Sequence, residues 1–121
     1  MNVMNNDLLI ELEDNGAEVE DVLERLMGDE EMYVHYLSQF PDNKSIVELR
    51  QAVDAKDYKK AMGAVHTLKG MTMNLGLLPL TDVCMDMLLD FREGNDEAAA
   101  GQIDDVEEEF AKWSEMIQKH I

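Results

Sequence analysis

The chain has 121 residues, 45% of them apolar, and a formal net charge of −17, which suits one compact domain with a sizeable core. Twenty-seven acids against ten basic residues exclude a nucleic-acid binder, which needs a basic footprint, and argue against docking on an anionic membrane. The single cysteine, Cys84, excludes an internal disulfide.

Residues 1–16 are polar and acidic around Leu8, Leu9 and Ile10, and read as a flexible arm ahead of a domain over 17–121. No apolar run approaches the ~20 residues of a membrane span. The N-terminus lacks the basic region and cleavage site of a secretory signal. A cytoplasmic location is expected. A short helix over 17–27 would bury Val19, Val22, Leu23 and Leu26. Gly28 ends it and Asp29 caps a second short helix, which runs to about residue 40. Pro41-Asp42-Asn43 breaks the chain. The next helix, over 44–55, puts Ile46, Leu49, Ala52 and Val53 on one side.

Asp57 then caps a helix over 58–75, with Gly76 as its stop. Pro79 suits the first turn of another, which carries Leu80, Val83, Cys84, Met87, Leu88 and Phe91. After Gly94-Asn95 the last helix, over 96–119, repeats apolar residues at 99, 103, 106, 110, 113 and 117, a bundle seam. Four longer helices joined by short connections predict an all-α, antiparallel up-down four-helix bundle with two short N-terminal helices. Cys84 and Trp113 fall in its core, His35 at its surface or a core margin, and His120 at a frayed end.

The helix over 58–75 contains Ala64-Val65-His66-Thr67-Leu68-Lys69-Gly70-Met71-Thr72-Met73-Asn74-Leu75-Gly76. With His66 at zero and about 100° per residue, Ala61, Ala64, Leu68, Met71, Thr72 and Leu75 gather on the opposite, inward side. Lys59, Met62, Gly63, Lys69, Gly70 and Met73 share the histidine's side, with Asn74 at its edge. Both glycines expose backbone there, although each costs a helix interior about 1 kcal/mol relative to alanine. No Asp or Glu occurs between Asp57 and Asp82, and four of the ten basic residues lie at 56, 59, 60 and 69. The imidazole thus stands in a mildly basic clearing on an acidic protein. Metal binding would need ligands at i+3 or i+4, where Lys69 and Gly70 stand, and His35 and His120 are remote. A smooth helical face offers no pocket for a small substrate. Nucleophilic attack on a phosphoryl group presented by another protein fits these residues, with Lys69 steadying the anion and Gly70 giving access.

His66-Thr67-Leu68-Lys69-Gly70 followed by Leu75-Gly76 closely resembles the H-x-L-K-G-(x)4-[LIV]-G signature of histidine-containing phosphotransfer (HPt) domains, and the helix order over 17–117 resembles that family too. The resemblance implies a phosphorelay carrier, not an autonomous enzyme. His66 Nε2 would accept a phosphoryl group from a receiver-domain aspartyl phosphate, or from a histidine kinase, and pass it to another receiver aspartate. Lys69 and Gly70 would support the transfer, and Lys59, Met62, Gly63, Met73 and Asn74 would meet the partner. The Mg²⁺ would belong to the receiver, so no cofactor or metal is expected in this chain, and a monomer is expected. Two alternatives are a non-transferring docking module and the phosphorylatable domain of a larger sensor or chemotaxis kinase. Val65, Met71 and Leu77 stand where family members often carry small residues. Val65 and Met71 lean inward on the wheel, which predicts altered core packing there.

Overall fold

The computed structural model describes the backbone of residues 3–121 and the side chains from Asp7 onward. All regular structure among the described residues is helical: α1 (Val3–Asp14), α2 (Val19–Arg25), α3 (Glu30–Gln39), a 3₁₀ turn (Phe40–Asp42), α4 (Lys44–Asp54), α5 (Tyr58–Asn74), α6 (Leu78–Arg92), α7 (Asp96–Ala100) and α8 (Ile103–Gln118). α5 lies between α4 and α6, and α8 packs on α6 and α4. Leu49, Ala61, Val65, Leu68, Leu80, Met87, Leu88, Val106, Trp113 and Ile117 fill the shared core. Phe40 stacks on Phe110 with ring centroids 4.6 Å apart, joining the 3₁₀ turn to α8.

The expected punctuation holds. Asp29 accepts from Met32 N and Asp57 from Lys60 N, each capping its helix. Pro79 stands in the first turn of α6. Gly76 takes φ +73°, the left-handed conformation that ends α5. Its amide donates to Met73 O (3.1 Å) and that of Leu77 to Thr72 O (3.0 Å), satisfying two carbonyls of the last turn. The amide of Glu18 donates to Gly76 O at 2.8 Å, which pins the start of α2 to this turn. A Cβ at residue 76 would lie 2.7 Å from Val22 Cγ2 and 3.1 Å from Glu18 O.

Three expectations are corrected. Residues 3–14 are not a loose arm but helix α1, which buries Leu8, Leu9 and Leu12 against the bundle; residues 1–2 of that arm lie outside the described residues. The i, i+1, i+4 spacing of Leu8, Leu9 and Leu12 gives a stripe narrow enough to be masked by the acids around it. The last helix is interrupted at Gly101-Gln102. Gln102 N bonds to Ala99 O, and the Gln102 side chain reaches Asp90 on α6. His120 is not frayed: its Nε2 lies 2.7 Å from Glu11 Oε1, and Lys119 Nζ lies 2.7 Å from Glu11 Oε2. Arg50 on α4 makes a further ion-paired link between helices, to Asp104 and Glu107 of α8.

Two outcomes test this packing. Gly76→Ala places a side chain at positive φ and against Val22, so urea unfolding should show a loss of about 2–4 kcal/mol. Hydrogen bonds from His120 and Lys119 hold the Glu11 carboxyl below its ordinary value. A depressed carboxyl contributes stability above its unfolded value and loses it as pH falls through the folded one. The difference in melting temperature between the wild type and Glu11→Gln should therefore be present at neutral pH. It should shrink below about pH 4, the ordinary glutamate range.

Candidate functional site

α5 is fixed by the face it buries. Ala61, Val65, Leu68 and Thr72 have no accessible surface, and Ala64 retains 7%. With those side chains turned in, the helical repeat sets His66 outward. His66 is exposed, and among the described residues its ring takes part in no hydrogen bond or ion pair. Lys59, Gly63, Met73 and Asn74 are exposed as expected, and Lys69, Gly70 and Met62 are half-buried. Met62 rests partly against the core, so it gives the outer face less surface than Met73, at 52% exposure. The predicted site residues therefore share one side of one helix.

The two glycines on that side face open space among the described residues. A Cβ built at Gly63 or at Gly70 meets nothing within 4 Å. Neither has a positive φ. Alanine would fit at both positions and would favour the helix by about 1 kcal/mol each. The bare backbone is therefore unexplained by folding, and it flanks the imidazole at i−3 and i+4.

Beneath the site and at its C-terminal end, side-chain hydrogen bonds that helical periodicity does not encode brace α5. The buried hydroxyls of Thr72 and Thr81 lie 2.8 Å apart, joining α5 to α6, and Thr72 Oγ1 donates to Lys69 O at 2.9 Å. At the helix end, Tyr33 donates its hydroxyl to Leu75 O (2.7 Å) and Arg25 Nη2 donates to Asn74 O (3.2 Å). These satisfy terminal carbonyls of α5 from α3 and α2. Burial raises the Tyr33 phenol well above its ordinary value, so it remains a neutral donor. The only sequence signal for either contact was an inward threonine or tyrosine among apolar neighbours.

The surroundings offer little other chemistry. Burial pushes the Cys84 thiol up to about 12, so it carries almost no thiolate near neutrality. Val65 and Leu77 are fully buried and Met71 is half-buried, its sulfur 3.0 Å from Asn43 Nδ2; the three larger residues are absorbed by packing, as the wheel predicted for Val65 and Met71. A cleft of about 460 Å³ opens between α2, α3 and the end of α5, lined by Val22, Arg25, Tyr36, Phe40, Asn43, Met71 and Asn74 among others; His66 does not border it. Among the described residues no three His, Cys, Asp or Glu side chains gather as metal ligands, and no helix is long and apolar enough to cross a membrane.

No curated protein and no solved structure matches the chain. The Hpt domain family does, over residues 8–119. That match begins within α1 and ends beyond α8, so it takes in the first helix as part of the fold. An outward histidine on a buried-anchored helix, followed by Lys69 and Gly70, lies inside a family match spanning nearly the whole sequence: the chain belongs to the Hpt domain family, whose members carry phosphoryl groups in two-component systems.

Proposed function

We propose that this chain is a phosphorelay intermediate that carries a phosphoryl group on His66. One observation carries the reading. His66 is exposed and unpaired among the described residues, on a helix whose opposite face is buried, with Lys69 and Gly70 on its own side. A nucleophile presented in this way suits a substrate delivered by another protein surface rather than one diffusing into a pocket. α4, α5, α6 and α8 we read as an up-down-up-down bundle that serves as the rigid mount.

In the forward step the lone pair of His66 Nε2 attacks the phosphorus of a receiver's aspartyl phosphate. The acyl phosphate P–O bond breaks, and the aspartate leaves as carboxylate. Nδ1 carries the ring proton at attack and releases it to solvent as phosphohistidine forms. The return step, to a second receiver's aspartate, is the same displacement reversed. Lys69, at i+3, supplies a positive charge beside the transferring oxygens. Gly70, at i+4, matters through side-chain direction. Helical side chains lean toward the N-terminus, so any side chain at residue 70 would lean back over the imidazole.

Lys59, Met62, Gly63, Met73 and Asn74 make up the face we assign to the partner, a response-regulator receiver domain or a histidine kinase. Mg²⁺ belongs to that receiver, and the chain itself contributes neither cofactor nor metal. It carries no Gly-rich nucleotide loop, and we read it as a carrier without autonomous kinase activity, cytoplasmic and monomeric.

Mixing the chain with a phosphorylated receiver and Mg²⁺, without ATP, should give acid-labile, base-stable phosphate on the chain. His66→Gln should abolish it with an unchanged helical circular-dichroism spectrum; transfer that survives this substitution removes the assignment. Gly70→Gln should slow transfer by about tenfold or more while leaving the urea midpoint the same or higher, since glutamine favours a helix interior over glycine.

A further inference from the structure

Gly63 is the less explained of the two glycines. It lies outside the signature motif that includes Gly70, and it interrupts the middle of α5 one turn before His66. No neighbour fills the space above it: an added Cβ meets nothing within 4 Å. Its φ is not positive, so no backbone conformation requires glycine. Its carbonyl is engaged, since Thr67 Oγ1 donates to Gly63 O at 3.1 Å. Thr67 thereby keeps its hydroxyl on the backbone beside the imidazole.

Side-chain direction separates the two glycines. A helical side chain covers the turn N-terminal to its own Cα. A His66 ring that follows this rule leans toward the turn at Gly63 and away from Gly70, while staying more than 4 Å from a Cβ at either position. A side chain at residue 70 would cover the ring. One at residue 63 would occupy the ground toward which the ring leans, and would stand in the path of anything approaching from the N-terminal end of α5. That end also carries exposed Lys59 and Lys60 and half-buried Met62, so a protein seated over His66 from this side meets cations and bare backbone.

We propose that Gly63 is a clearance position that sets how closely a protein partner can seat on the N-terminal side of His66, and thus which partners can exchange phosphoryl groups with it. This rests on the phosphorelay reading above and adds to it a residue that selects by shape. Gly63 touches no reacting atom; it acts by leaving the approach open. The partner surface it admits carries carboxylates, complementary to bare backbone flanked by Lys59 and Lys60.

The test is a graded series, Gly63→Ala and Gly63→Met, in the full chain. Both should melt at higher temperature than wild type, by about 3 °C for alanine, because each removes a helix-interior glycine. Phosphoryl transfer from a phosphorylated receiver should fall stepwise with side-chain size, reaching on the order of 10- to 100-fold for methionine, with most of the loss in KM. Diethyl pyrocarbonate, a small acylating reagent, should modify His66 at the wild-type rate in Gly63→Ala, with the site located by mass spectrometry. Wild-type transfer rates in both variants would overturn the proposal. So would a lowered melting temperature in Gly63→Ala, which would mean the glycine serves the fold. A wild-type chain that takes no phosphoryl group would instead remove the phosphorelay reading, and this proposal with it.

Discussion

The rotation of α5 about its own axis is the constraint on which the site depends. Ala61, Ala64, Val65, Leu68 and Thr72 are locked into the interior, and a helix held along one face has no freedom to turn. A rotation large enough to bury His66 would bring Leu68 toward water, and fully burying a leucine is worth about 1.5–3 kcal/mol. Several such residues act together, so the outward direction of the imidazole is enforced by the core rather than by contacts of the imidazole itself. Among the described residues the ring has no intramolecular partner.

The ends of α5 are fixed as firmly as its middle. Asp57 caps the first turn, and Gly76 reverses the chain while accepting from Glu18 N. Tyr33 and Arg25 bond the last carbonyls from two other helices. α2 and α3 thus do more than add to the core; they terminate the helix that carries His66. α1 in turn packs on α8 and touches α2 and α3, and Glu11 joins it to the C-terminus through Lys119 and His120. The N-terminal helices, which add Leu8, Leu12, Val22, Tyr33 and Leu37 to the core, form a connected brace around the ends of α5.

Much of this was legible in the sequence wherever local chemistry decides the outcome. A 3.6-residue period identified the buried side of α5 and the exposure of His66, because one face of that helix is small or apolar, while Met62, Lys69, Gly70 and Met71 lie between the two sides. Asp29, Asp57, Pro79 and Gly76 marked helix ends because each has a specific backbone role. α1 is not legible because Leu8, Leu9 and Leu12 make a narrow stripe within an acidic segment, and it is the surface offered by α8, α2 and α3 that makes burying it favourable. The break at Gly101-Gln102 was missed because the apolar seam continues in phase across it. The His120–Glu11 and Thr72–Thr81 contacts depend on tertiary closure, and no periodicity encodes them. Gly63 and Gly70 were visible as anomalies, and only the empty space above them showed that the anomaly is not one of packing.

The most direct measurement is ring-nitrogen NMR of the uniformly ¹⁵N-labelled chain after loading from a phosphorylated receiver. The account predicts that Nε2 of His66 alone acquires the shift and phosphorus coupling of a phosphoramidate bond, while the rings of His35 and His120 keep their unloaded signals. Phosphorus coupling at His35 or His120, or a loaded chain whose three imidazoles are all unchanged, would contradict it.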